Sequence, residues 1–212
     1  MKYCIKGVDI HSDRAAIPSG RKSKRYLRFL SSIGRHESCL DYGCGKLRHL
    51  EEMLTVFRHI TAVDSEAQVT KTQKIHGIET TVEKFCRRYR RISAYKLDDV
   101  SKIKRRHDWA FLNNVLSAIP ERGARIKALV NIRKLLKPGA RLLIVTQFKN
   151  SKFDAFANGK KHFDGHIHHS TRGLHFFGLI SDRVLKNYLQ ETGYREIVIR
   201  PVSGYFFTTA RK

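Results

Sequence analysis

No apolar run in this chain approaches the ~20 residues that a membrane-spanning helix needs, so no such helix is expected. The first residues, Met1-Lys2-Tyr3-Cys4-Ile5-Lys6, lead into no apolar stretch, and no signal peptide is expected either. Cysteine is scarce. Cys4, Cys39, Cys44 and Cys86 form no CxxC pair and no framework spacing. That disfavours a disulfide scaffold or a zinc site and fits free thiols in a reducing, cytoplasmic setting. No internal repeat and no low-complexity tract is present. Acids are the other shortage: 19 Asp and Glu stand against 42 Lys and Arg, for a formal net charge of +23.

A charge that large exceeds what solubility requires and favours a polyanionic partner. The basic residues come in clusters: Arg21, Lys22, Lys24 and Arg25; Arg87, Arg88, Arg90 and Arg91; Lys104, Arg105 and Arg106; and Lys160 with Lys161. Tyr26, Phe85, Tyr89 and Phe163 lie in or beside them. Basic groups with adjacent aromatics neutralise phosphates and stack on bases, which points to nucleic acid, RNA (tRNA or rRNA) before DNA. Tyr26 has a competing role, because Tyr26, Phe29, Leu30 and Ile33 fall at helical spacing and can share one buried face.

With 212 residues and 41% hydrophobic content, the chain suits one α/β domain. Residues 1–35 read as an arm and a helix, and residues 36–212 as the main domain. Strands are expected near 38–41, 60–63, 92–97, 109–112 and 141–147, with helices near 22–33, 48–57, 65 onward, 81–90 and 121–136. Lys137-Pro138-Gly139 stops the last of these. From about 148 to 177 the pattern becomes a polar, Gly- and His-rich loop, long enough to suggest function. A helix from Ser181 and two strands, 195–200 and 205–210, close the chain. Alternating strands and helices imply a Rossmann-like, doubly wound, mostly parallel seven-stranded sheet with an antiparallel C-terminal hairpin.

The chemistry gathers at Cys39-Leu40-Asp41-Tyr42-Gly43-Cys44-Gly45-Lys46, a strand that ends in an acid and enters a glycine turn. In such sheets ligands bind at the C-terminal ends of the strands. Asp41, Gly43, Gly45, Asp64, Asp98, Asp99 and Asn113 all fall at that rim and form the candidate cofactor set. Gly43 and Gly45 permit close approach of a ligand. Asp64 can accept from both hydroxyls of a ribose, and a carboxylate after the third strand can meet an adenine amine. Asp41 can hold the turn through backbone amides or face a cationic group. No Walker lysine-serine pair is present, and the turn lacks GxGxxG spacing. Carboxylates stand where a pyrophosphate would need donors, which argues against NAD and for a cationic, phosphate-free cofactor.

Four segments in order carry a family resemblance. Leu40-Asp41-Tyr42-Gly43-Cys44-Gly45, Ala62-Val63-Asp64, the stretch from Asp108 to Ile119, and Leu135-Leu136-Lys137-Pro138-Gly139-Ala140-Arg141-Leu142 resemble the signatures of class I S-adenosylmethionine-dependent methyltransferases. The resemblance covers about residues 36–147 and implies S-adenosylmethionine as cofactor. Where that family usually has a further glycine, this chain has Leu47, which implies a differently held methionine end and raises the reading of a binding module without turnover. A narrower resemblance, through Arg14-Ala15-Ala16-Ile17, is to the methyltransferases found with bacterial DNA-modification and defence systems. By the resemblance, Asn113 and Asn114 stand where the acceptor is oriented. The DPPY-type tetrad of amino-methylating DNA enzymes is absent, as is a Pro-Cys pair for cytosine C5 chemistry. An O or N acceptor on nucleic acid, RNA favoured, is therefore expected, with a small-molecule acceptor as the alternative. His162, His166, His168, His169 and His175 crowd the long loop. His166 is a candidate general base, and no metal is expected.

Overall fold

The strands of the central sheet send successive side chains to opposite faces, and both faces are apolar. In the first of its parallel strands Cys39 turns to one core and Leu40 to the other, and in the fourth Trp109 and Phe111 oppose Ala110 and Leu112. A strand buried on both sides suits a parallel sheet sandwiched between helices. The computed structural model describes residues 2–5, 7–11, 16–147, 158–170, 173–202 and 204–212.

In chain order the elements are a hairpin, β1 (Lys2–Ile5) and β2 (Val8–His11), then α1 (Lys24–Ser32), β3 (His36–Tyr42), α2 (Leu50–Val56), β4 (Phe57–Asp64) and α3 (Glu66–Thr70). A short hairpin follows, β5 (Gln73–Ile75) and β6 (Ile78–Thr80), then α4 (Val82–Cys86), β7 (Ile92–Lys96), β8 (His107–Asn113), α5 (Arg122–Leu135) and β9 (Leu136–Gln147). The rest is β10 (Lys160–His162), β11 (Gly165–Ser170), β12 (Gly173–Gly178), α6 (Asp182–Glu191), β13 (Arg195–Val202) and β14 (Tyr205–Arg211).

The seven-stranded sheet has the order β13-β14-β9-β8-β3-β4-β7. β7, β4, β3, β8 and β9 are parallel, and β14 runs antiparallel to β9 and to β13. This is the doubly wound sheet with an antiparallel C-terminal pair that the sequence pattern implies. One face packs on α1, α2 and α4 through Tyr26, Leu30, Met53, Val82 and Phe85. The other packs on α5 and α6 through Leu129, Ile132, Leu185 and Leu189. β3 pairs with both β4 and β8, so the strand order reverses there and leaves a crevice at the C-terminal rim.

Three segments differ from the sequence pattern. The N-terminal arm is a hairpin whose Tyr3, Ile5 and Ile10 join the α5-side core. The described part of the polar loop forms an antiparallel sheet, β10-β11-β12, rather than open loop; residues 148–157 lie outside the described residues. The helix expected over 81–90 ends at Cys86, where the like-charged run Arg87, Arg88, Arg90 and Arg91 begins. Among the described residues no helix is long and apolar enough to cross a membrane.

Candidate active site

The glycine turn is fixed from four directions. The amides of Gly43 and Cys44 both donate to the Val63 carbonyl, at 2.7 and 3.1 Å, and Leu47 N donates to Cys44 O at 2.9 Å. Gly45 N donates to Asp64 Oδ2 at 2.8 Å, and Gly45 O accepts from Gln68 Nε2 at 2.7 Å. Gln68 is itself buried and held by Gln73. Gly43, at φ +80°, is required by its neighbour: a Cβ there would run into the Val115 side chain. Gly45, at φ +55°, faces the Ala16 methyl. Leu47 keeps the left-handed backbone that a glycine would supply, with φ 54°. Its side chain is 1% exposed and lies in the α1–α2 core. The departure from the family pattern is therefore absorbed by the core, and the turn keeps its shape.

Asp64 sits at the end of β4 and is the turn's anchor as well as its neighbour. Oδ1 accepts from Ser65 N at 2.7 Å and Oδ2 from Gly45 N. Each oxygen keeps a further lone pair for a ligand hydroxyl. Burial pushes its carboxyl above the ordinary carboxylate range and so resists ionisation, opposed by those two amide bonds and by the Ser65 hydroxyl. Asp41, at the end of β3, makes no hydrogen bond through its carboxylate to any described residue; holding the turn falls to Asp64 instead. Burial and the charge on Asp64 push the Asp41 carboxyl from 3.8 up to about 7.

Two cavities open at the rim. The larger, about 880 Å³, lies between the 3-10 turn Leu97–Lys102 and α5 and is lined by Tyr42, Ser65, Glu66, Asp98 and Asn131, among others. Asp98 lines it, whereas Asp99 pairs with Lys102 Nζ at 2.6 Å. The smaller, about 420 Å³, lies over the ends of β8, β9 and β14 and brings Asn113 and Asn114 together with Arg48, Gln147 and Tyr205. Asn114 is strained at φ 61°, with its amide N donating to Val145 O at 2.8 Å, and its buried side-chain Oδ1 meets no partner among the described residues. Arg48, Gln68, Tyr42 and Tyr205 carry no sequence signature of their own. Only Arg48, directly after the glycine turn, could have been marked by position.

His166 is on β11 and lines neither cavity. Among the described residues no three His, Cys, Asp or Glu gather as a metal site. The basic clusters do not form one surface. Arg21 and Arg25 line the smaller cavity, and Lys22 pairs with Glu51 and Glu52. Arg87–Arg91 and Lys104–Arg106 precede β7 and β8, at the N-terminal ends of the strands, where Arg106 alone of them reaches the lining of the larger cavity, with Lys160 and Lys161 apart on β10. Strands of this length put the two ends of the sheet roughly 20 Å apart. Several of these cations are also engaged locally: Arg87 with Glu83, Arg88 over the Phe85 ring, and Arg91 with Leu54 O.

Known proteins agree with this geometry. The chain is 34% identical over 194 residues to the uncharacterized protein YmfD of Escherichia coli (strain K12), covering 91% of this chain and 88% of that one. It is similar in structure to an O-methyltransferase family protein from Burkholderia thailandensis, with a TM-score of 0.63 and 15% identity over 90% of this chain, which spans 56% of that longer one. A second similar structure is the 1,6-didemethyltoxoflavin-N1-methyltransferase of the same organism, solved with 1,6-didemethyltoxoflavin and S-adenosylhomocysteine. Its TM-score is 0.60 at 21% identity, over 89% of this chain and 77% of that one. Arg14 and Ala15, half of the stretch carrying the narrower likeness to defence-associated enzymes, lie outside the described residues. A family model described as a methyltransferase domain matches residues 14–198, and with the sheet order and the glycine turn in view, the chain belongs to that methyltransferase-domain family.

Proposed function

We propose that the protein is an S-adenosylmethionine-dependent methyltransferase that methylates an O or N atom of a compact acceptor held in the smaller cavity. One observation carries the cofactor. The amides of Gly43, Cys44, Gly45 and Leu47 are all engaged inside the protein, and two carboxylates stand beside them. A phosphate would find those four amides taken, would meet the charge of Asp64, and would make the Asp41 carboxyl harder still to ionise. A phosphate-free adenosyl ligand with a positive centre finds the reverse, and the residues fit it. When bound, S-adenosylmethionine supplies an electrophilic methyl group.

The chain's own residues position and polarise. Asp64 receives the ribose hydroxyls on its remaining lone pairs. Asp41 faces the cationic end, which draws its proton off. Asp98 is placed for the adenine amine. Asn113 and Asn114 hold the acceptor and aim its lone pair. Two strained or unsatisfied features at Asn114 favour a role with ligand present, since such groups persist where the surroundings over-determine them. Calorimetry with S-adenosylmethionine tests the cofactor. Asp64→Ala is expected to weaken binding by about 1–3 kcal/mol, and unchanged affinity would mean the ribose sits elsewhere. Labelled methyl transfer onto RNA, DNA and small-molecule fractions tests the acceptor, with label expected in the last.

A second reading, a nucleic-acid acceptor with RNA favoured, draws support from the +23 charge and from the position of Arg21 and Arg25 at the cavity. It requires binding that weakens steeply with salt and label in the RNA fraction.

A further inference from the structure

Among the described residues the smaller cavity is lined by charge of one sign: Arg21, Arg25 and Arg48 line it, and none of those residues is Asp or Glu. Arg48 donates Nε to the Arg21 carbonyl, which ties the two residues together and leaves the terminal nitrogens of Arg48 without a partner among the described residues. Neither Arg21 nor Arg48 pairs with a carboxylate among those residues. The nearest acids in sequence, Glu51 and Glu52, are engaged with Lys22. Burial lowers the ionisation of Arg48, and the Arg21 charge lowers it further while Tyr205 opposes. Arg48 is half-buried beside the like charge of the exposed Arg21, with no carboxylate paired to it among the described residues; that is unfavourable, and an anionic ligand removes the penalty.

The rest of the lining sets the ligand's other features. Tyr205 and Phe207 give the lining its aromatic surface, and Ile17 and Pro18 add apolar surface to it. Asn114, in the lining, has a buried Oδ1 with no partner among the described residues, an acceptor suited to an O–H or N–H. Its backbone is pinned through Val145 O and through Ser117 Oγ, which donates to Asn114 O at 3.3 Å. The segment 16–18 crosses the glycine turn, with Ala16 at 3.5 Å from where a Gly45 Cβ would stand. That segment bounds a volume of about 420 Å³, the size of a small-molecule site rather than of a strand-tracking groove.

We infer that this cavity takes a compact, flat acceptor bearing a carboxylate or phosphate, with Arg21 and Arg48 gripping the anion and Asn114 Oδ1 accepting a hydrogen bond from the methyl-accepting O–H or N–H, whose proton leaves to solvent as the methyl group is taken. The inference rests on the methyltransferase reading above and names its substrate class.

The test is an amide NMR titration of the full chain, with and without S-adenosylhomocysteine. The probes are 4-hydroxybenzoate, phenyl phosphate and the neutral 4-hydroxybenzamide. Both anions, or one of them, should bind at least about tenfold more tightly than the amide, with shifts at Asn113, Asn114 and Tyr205. The preferred anion separates carboxylate from phosphate. Arg48→Met keeps the stem and removes the charge, and should erase the preference. Arg21→Gln, at an exposed position, does the same should Arg48→Met fold poorly. Equal binding of anions and amide, or selectivity indifferent to both variants, overturns the inference. A short single-stranded RNA that displaces the probes with the same sensitivity to Arg48→Met would give the cavity to nucleic acid and also overturn it. Selective anion binding by a protein that takes up no S-adenosylhomocysteine would uphold the anion site and sink the cofactor reading instead.

Discussion

Asp41→Asn should make the ligand-free protein more stable at pH 8 and no more stable at pH 4. An ordinary aspartate ionises near 3.8, and in the fold burial and Asp64 move Asp41 to about 7. A carboxyl raised in this way favours its protonated form. The stability it contributes is complete below pH 3.8 and is lost as pH climbs through 7. A displacement of about three pH units at ~1.4 kcal/mol each gives roughly 4 kcal/mol, and partial solvent access reduces this to about 2–4 kcal/mol. For a chain of this size each kcal/mol moves the midpoint by about 2–4 °C, so Asp41→Asn should melt roughly 5–15 °C higher at pH 8. The neutral amide has nearly the same shape, so packing hardly changes. Thermal unfolding followed by circular dichroism at the two pH values reads this directly. In the same series, S-adenosylmethionine should raise the wild-type midpoint more at pH 8 than at pH 6, and should do little for Asp41→Asn. Equal midpoint differences at pH 4 and pH 8 would refute the argument, because they would show that Asp41 is ionised in the fold like any surface acid.

Leu47→Gly removes a fully buried side chain while relieving the left-handed strain. The net loss should be about 1–3 kcal/mol in urea unfolding, with cofactor affinity unchanged. Arg125 is 0% exposed and paired bidentately with Asp164, its Nη2 donating to Oδ1 at 2.8 Å. Asp164→Asn leaves a buried guanidinium poorly paired and should cost about 3–5 kcal/mol, visible as faster amide exchange across β10–β12. His107 and His49 are buried and neutral, each lowered by burial from 6.5 to about 4. A depressed histidine contributes stability above pH 6.5 that is lost as pH falls through 4. His107→Gln should therefore flatten the acid limb of the stability curve between those values, and an unchanged limb would count against a neutral His107.

The sheet was legible because its signal is local. Strands such as β8 and β9 are apolar on both faces, and Lys137-Pro138-Gly139 marks the stop of α5, falling in the first residues of β9. The rim acids follow once strand ends are known. β10–β12 was not legible, because Gly165–Ser170 is polar and histidine-rich and is a strand by pairing with Lys160–His162 and Gly173–Gly178. The N-terminal hairpin is likewise decided at long range, by the core that receives Ile10. Arg48 and Arg21 belong to the site through a tie between side chain and backbone 27 positions apart, and no spacing rule anticipates that. Leu47 shows the opposite limit. Its identity suggested a lost feature, while its backbone retains it.

The basic groups at the N-terminal ends of the strands have a practical consequence. Arg58, Arg91 and Arg105 all act on His59, and Arg106 and Arg133 both act on Lys212. A polyanion drawn to that end would grip the molecule by its rear and leave the glycine turn and the smaller cavity facing outward, with Arg106 bringing it to one edge of the larger cavity. Retention on heparin or on bulk RNA would then report adhesion at one pole, whereas turnover is decided at the other.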